Sequence, residues 1–85
     1  MRLDKYLKIS RLIKRRTVAN EACGLGRVSV NNKVAKPSAE VKAGDELAIR
    51  MGGKTLRVKV LATPEFAPKA DAAALYTLLE GQPID

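Results

Sequence analysis

The stretch SRLIKRRTVANEACGLGRVSVN, residues 10–31, changes its apolar period partway along. Before Gly26 the residues Val18, Ala22 and Leu25 fall at i, i+4 and i+7, the spacing of one helical face. After it Val28 and Val30 alternate with Arg27 and Ser29, the spacing of a strand. Thr17 is placed to cap the helix at its start, and Gly26 to end it in the left-handed conformation. A short helix running through a tight turn into a strand is therefore predicted, and the same stretch carries five Lys or Arg.

Upstream, Leu3, Tyr6 and Leu7 fall at i, i+3 and i+4, with Asp4, Lys5, Lys8 and Arg11 assigned to the opposite side. This predicts an amphipathic helix with a basic outer face. Downstream, Asn31-Asn32 supplies two residues that tolerate positive φ in a hairpin turn. Pro37 and Gly44-Asp45 mark a loop. ELAIRM and TLRVKVL then alternate on either side of Gly52-Gly53, which predicts a second hairpin with Leu47, Ile49, Leu56, Val58 and Val60 facing a core. After the linker TPEFAPK, Ala72, Leu75, Tyr76 and Leu79 repeat at helical spacing before Gly81 and Pro83, predicting a C-terminal helix that lids the sheet.

The predicted fold class is α/β in the α+β sense: two short N-terminal helices, a small mainly antiparallel sheet and a C-terminal helix. A chain of 85 residues is one domain. Residues 1–62 are expected to form its body, and 63–85 a linker and helix packed on it.

Charge is segregated along the chain. Residues 1–36 hold ten Lys or Arg against Asp4 and Glu21, a net of +8, whereas residues 37–85 hold six against seven acids, a net of −1. A pole of this size in so small a domain concentrates polyanions. Histidine is absent and Cys23 is the single cysteine, which leaves neither a Cys/His metal site nor an intramolecular disulfide. No cofactor or metal is expected. Without His and without an evident carboxylate pair, a non-catalytic protein is expected. Cys23, beside Ala22, reads as a small core residue, and GLG lacks the context of a phosphate loop. No apolar run is long enough for a membrane span and Trp is absent, so a soluble, cytoplasmic chain without membrane contact is expected.

An isolated run of charge is usually a solvated face. Here Arg11, Lys14, Arg15 and Arg16 precede a helix start whose amides add partial positive charge, while Arg2, Lys5 and Lys8 on the preceding helix and Arg27 after Gly26 extend the same pole. Together these eight residues form the candidate polyanion-binding set, and the candidate RNA-binding set if the polyanion is RNA. For an RNA partner only Tyr6, Phe66 and Tyr76 could stack on bases, and the two tyrosines fit the core, so recognition of it through shape and backbone would be expected.

Residues 1 to about 50 also resemble the S-four RNA-binding domain, named for the small-subunit ribosomal protein. The shared pattern is a basic helix pair, a Gly, RVSVN, the PS pair Pro37-Ser38, and V..GD ending at Asp45. Asn32 stands where that family usually has Gly, and Gly24 inside the second helix should weaken it by about 0.8–1.0 kcal/mol relative to Ala. Over nearly the whole chain, MRLDKYLK, SRLIKRRT and LYTLLEG are similar to the free-standing RqcP family of bacterial ribosome-associated quality control. The heat-shock-protein-fifteen group is a close relative, though it typically carries a long basic tail, whereas this tail is short and acidic.

The resemblance implies a protein that binds the large ribosomal subunit, contacting its rRNA and the peptidyl-tRNA, and works with an RqcH-type factor during alanine tailing of stalled chains. It carries Arg2 and Arg16 over as RNA contacts; Lys5, Lys8, Arg11, Lys14, Arg15 and Arg27 are added from geometry and charge. A monomer is expected. The alternatives are a heat-shock-type recycling factor and an accessory subunit that makes mainly protein contacts.

Overall fold

The change of period at Gly26 is where the chain passes from its helical layer into its sheet. In a computed structural model, which describes residues 1–81, helix α1 spans Leu3–Ile9 and α2 spans Arg16–Gly24. Strands β1 (Val28–Val30), β2 (Lys33–Val34), β3 (Glu46–Met51) and β4 (Lys54–Val60) follow, then a 3₁₀ helix at Lys69–Leu75 and strand β5 at Tyr76–Glu80. Pro83 and Asp85 lie outside the described residues. The sheet is antiparallel throughout, in the order β2-β1-β3-β4-β5.

Both predicted hairpins form. Asn31 and Asn32 take φ of 51° and 69° at the β1–β2 turn, as a two-residue turn of this twist requires. Asn31 also ties this turn to the next loop through its side chain: Nδ2 donates to Asp45 Oδ1 at 3.2 Å, and Oδ1 accepts the Glu46 N–H at 3.0 Å. Asp45 is buried, its other oxygen accepting the Lys42 N–H. The cross-strand pairs Leu47↔Val58 and Ile49↔Leu56 place their side chains on one face. With Val28 and Val60 they join Leu3, Tyr6, Leu7, Ala19, Ala22 and Cys23 in a single core.

Helix α1 buries Leu3, Tyr6 and Leu7 completely, in line with their spacing. Two details of α2 differ from the sequence reading. The helix begins at Arg16 after an extended Arg15, without a side-chain cap, so Thr17 lies inside the first turn. Its buried stripe is Ala19, Ala22 and Cys23, with Val18 at the flank and Leu25 exposed. That stripe is also helical, at i, i+3 and i+4, but it is built of small side chains. Gly26 has φ 75°, and its amide bonds back to Cys23 O, ending the helix.

The predicted C-terminal helix is instead a 3₁₀ turn followed by a strand. Ala72 and Leu75 are three apart, the repeat of a 3₁₀ helix, and both are buried. From Tyr76 the backbone serves the open edge of β4, pairing Val60↔Tyr76, Lys59↔Thr77 and Val58↔Leu78. Leu79, assigned to the helical stripe, is about half exposed. An unpaired edge of β4 would leave a row of unpaired amides and carbonyls, and satisfying it outweighs a weak helical rhythm. At Gly81, with φ 84°, an added Cβ would collide with the Thr55 carbonyl oxygen.

Candidate nucleic-acid interface

The basic loop between α1 and α2 is held by apolar side chains that alternate with its charges. Leu12 and Ile13 are buried, whereas Arg11, Lys14, Arg15 and Arg16 are exposed. Ile13 N–H bonds to Leu7 O, Arg11 N–H to Lys8 O, and Ser10 Oγ donates to Leu7 O. Arg11 takes φ 58°, a left-handed conformation that costs an L-residue roughly 1–2 kcal/mol. The two anchors that follow it hold the chain there, which is why so much charge sits against tight packing: the cations are outward positions of a segment nailed to the core.

Arg2 lies in extended backbone ahead of α1, bridged to Glu40. Leu3 N–H bonds to Ala39 O, Val41 N–H to Met1 O, and the Met1 amine pairs with the Glu40 carboxylate at 2.6 Å. One turn on, Asp4 is buried, correcting its assignment to the outer face of α1. Its Oδ1 accepts Arg2 Nε at 3.2 Å and Arg16 Nη2 at 3.4 Å, and its Oδ2 accepts Arg2 Nη2 at 3.3 Å. The Lys5 N–H adds a further bond at 2.8 Å. Burial by itself pushes the Asp4 carboxyl up, but the hydrogen bonds from Arg2, Arg16 and the Lys5 N–H, with the charge of Arg16, together outweigh it and hold the group below its ordinary value.

This carboxylate gathers two guanidinium groups, one from the extended segment ahead of α1 and one from the start of α2, onto one spot. The side chains of Arg2 and Arg16 remain 52% and 46% exposed. A guanidinium has five N–H donors in a planar fork. Asp4 engages part of each fork, leaving donors in solvent and a net charge of about +1 for the triad. A shallow depression of about 390 Å³ opens beside it, lined by Asp4, Arg16, Thr17, Asn20 and Glu21.

The other candidates are placed differently. Lys8 is exposed in the last turn of α1, and Lys14 and Arg15 lead into Arg16. Lys5 is ion-paired to Glu65 at 2.8 Å, tying α1 to the linker. Arg27 follows the far end of α2, whose nine residues span about 13 Å, and it belongs with the β3–β4 hairpin rather than with Arg2 and Arg16. Cys23 is buried, and burial together with the Asp4 carboxylate pushes its thiol up to about 11, as suits an inert core residue. Tyr6 is fully buried and donates to Leu75 O at 2.7 Å. Among the described residues no helix is long and apolar enough to cross a membrane.

Asp4 is the residue that sequence reasoning missed. A lone acid among cations reads as a solvent-side partner; only its fixed place beside both arginines, with its amide bonded to Pro37 O, shows otherwise.

The S4 domain family matches residues 1–47. A protein of Listeria innocua named RQC P-site tRNA stabilizing factor is 53% identical over 85 residues, covering 100% of this chain and 92% of the relative. The chain belongs to that family of S4-domain proteins. The Bacillus subtilis member, of the same name, is 49% identical over 84 residues, 99% of this chain and 98% of its own. The RQC factor family also has a structural relative in Vibrio cholerae Heat Shock Protein 15, described as trimeric. That structure superposes with a TM-score of 0.85 and 29% identity, covering 93% of this chain and 81% of the other. The fold is thus that of an RNA-binding S4 domain, with α+β architecture.

Proposed function

We propose that the protein is a non-catalytic RNA binder of bacterial ribosome-associated quality control, acting in the cytoplasm as a monomer. It binds large-subunit rRNA and peptidyl-tRNA after the ribosome has split, and supports alanine tailing of the stalled chain together with an RqcH-type factor. The observation that carries this reading is the convergence of Arg2 and Arg16 on buried Asp4, within a chain whose relatives are named tRNA stabilizing factors. Lys8, Arg11, Lys14 and Arg15 extend the same positive surface along the backbone path of structured RNA, and Lys5 joins them if RNA displaces Glu65.

The experiment is sedimentation of the protein with purified large subunits across a range of salt. Removing one cation from a phosphate should reduce the slope of log affinity against log salt by about 0.7–0.9, so Arg2→Ala with Arg16→Ala should flatten it by about twice the single change. Cells carrying both changes should lose alanine tails on stalled chains while ordinary translation continues. Native salt dependence and full tailing in the double variant would overturn the reading.

A further inference from the structure

At the opposite end of α2 from Arg16, the β3–β4 hairpin and the start of β1 enclose an open cleft of about 580 Å³. Arg27, Arg50, Gly52, Gly53, Lys54 and Thr55 line it, and among the described residues no carboxylate does. The sheet register explains the grouping. Val28, Ile49 and Leu56 are cross-strand neighbours that all face the core. One step further along each strand, Arg27, Arg50 and Thr55 form the next row, which must face the other way. Arg50 pairs with Thr55, and its N–H bonds to Arg27 O at 2.9 Å. Lys54 stands at the hairpin turn beside Gly52 and Gly53. All three cations are exposed and, among the described residues, none is in an ion pair.

This arrangement differs from an ordinary solvated strand face. Elsewhere on the same sheet Arg57 is matched by an acid, sitting 3.7 Å from Glu46. The cleft is lined by two arginines, a lysine and a threonine and, among the described residues, by no acid. Planar forks suit the oxygens of a phosphodiester, and an ammonium adds a point charge. Among the described residues, the cleft offers no apolar anchor of the kind a peptide side chain needs apart from Met51.

We infer that this cleft is a second phosphate-binding site, taking the backbone of an RNA segment other than the one held by Arg2 and Arg16. By that alternation the two sites lie on opposite sides of the sheet: Arg27, Arg50 and Thr55 share the row facing away from the side that carries Val28, Ile49 and Leu56 and packs against α1 and α2, and Lys54 reaches the cleft from the hairpin turn. One rigid duplex cannot lie against both, so the domain joins two RNA segments. The inference rests on the RNA-binding reading above and deepens it.

A bridging assay tests it. One RNA hairpin is fixed to beads and a second, of unrelated loop sequence, carries a fluorophore; the intact protein is added at low salt. Native protein should bind the fixed hairpin and draw the fluorescent one to the beads. The triple variant Arg27→Gln, Arg50→Gln, Lys54→Gln should keep its thermal midpoint and bind the fixed hairpin within about threefold, yet bridge about tenfold less, since the three cations it removes serve the second site. Native protein that binds the fixed hairpin but captures no second, or a triple variant that bridges as well as native, overturns the inference and leaves the helix-face reading standing. Native protein that binds neither hairpin overturns both.

Discussion

The N-terminal helix pair and the C-terminal segment are both rich in Leu and Ala, but they are held by different means. In residues 3–24 the apolar side chains supply their own anchorage: Leu3, Tyr6, Leu7, Leu12, Ala19 and Ala22 are all at most 3% exposed. In residues 69–80 only Ala72 and Leu75 are buried, whereas Leu78 and Leu79 are 45% and 47% exposed. That segment is held largely through its backbone. The Leu75 carbonyl accepts the Leu61 N–H at 2.8 Å, the Ala62 N–H at 3.3 Å and the Tyr6 hydroxyl at 2.7 Å, and β5 completes the edge of β4. The difference teaches that the proposed RNA-binding surface stands on side-chain packing, and that the C-terminal segment closes the sheet instead of building that surface.

The sharpest way to break this comparison is Leu12→Ala, which removes an anchor of the basic loop. Loss of a fully buried leucine should cost about 2–5 kcal/mol. RNA affinity should fall with stability, because Arg11 and Lys14 lose their fixed backbone. A denaturant titration showing less than about 1 kcal/mol would mean that the loop is held by its hydrogen bonds alone.

Asp4→Asn comes next, with about 1–2 kcal/mol expected at neutral pH, since both arginine partners are about half exposed and screened. The carboxyl is held below its ordinary value, so its contribution is fully present above the ordinary carboxylate range. It is lost as pH falls through the folded value. The native protein should therefore lose stability in that acid window and the Asn variant should lose less there. Parallel pH profiles for the two would remove Asp4 as the organiser of Arg2 and Arg16.

Tyr6→Phe deletes one of the three donors on the Leu75 carbonyl and should cost about 1 kcal/mol, because two amides remain on that oxygen. Hydrogen exchange should quicken in β5 before it quickens in α1. The smallest effect is expected from Leu79→Ala, within about 0.5 kcal/mol for a half-exposed strand residue. A larger loss would show that the edge strand depends on its side chains after all.

Much of this molecule could be read from local spacing. The buried stripe of α1, both hairpin turns and the five core positions of β3 and β4 follow from residues close together in sequence, where periods of 3.6 and 2 and a two-Asn turn act directly. The basic pole and the family resemblance were legible for the same reason. Placement of individual charges was less so. Lys5 turned out to be paired with Glu65, sixty residues away, and Arg27 was separated from the other cations by the length of α2. A count of charges along the chain cannot distinguish these neighbourhoods.

The sequence by itself determined two short helices, two antiparallel hairpins and a basic N-terminal half, because each rests on side-chain periodicity, turn residues or composition within a few turns of chain. Tertiary structure alone decided three things. It made 69–80 a 3₁₀ turn and a strand, because the edge of β4 required backbone partners that no local rhythm records. It buried Leu12 and Ile13 between charges, because the core formed by both helices and the sheet had room for them there. And it buried Asp4, because a carboxylate can leave water when two guanidinium groups, one from the extended segment ahead of α1 and one from the start of α2, meet it.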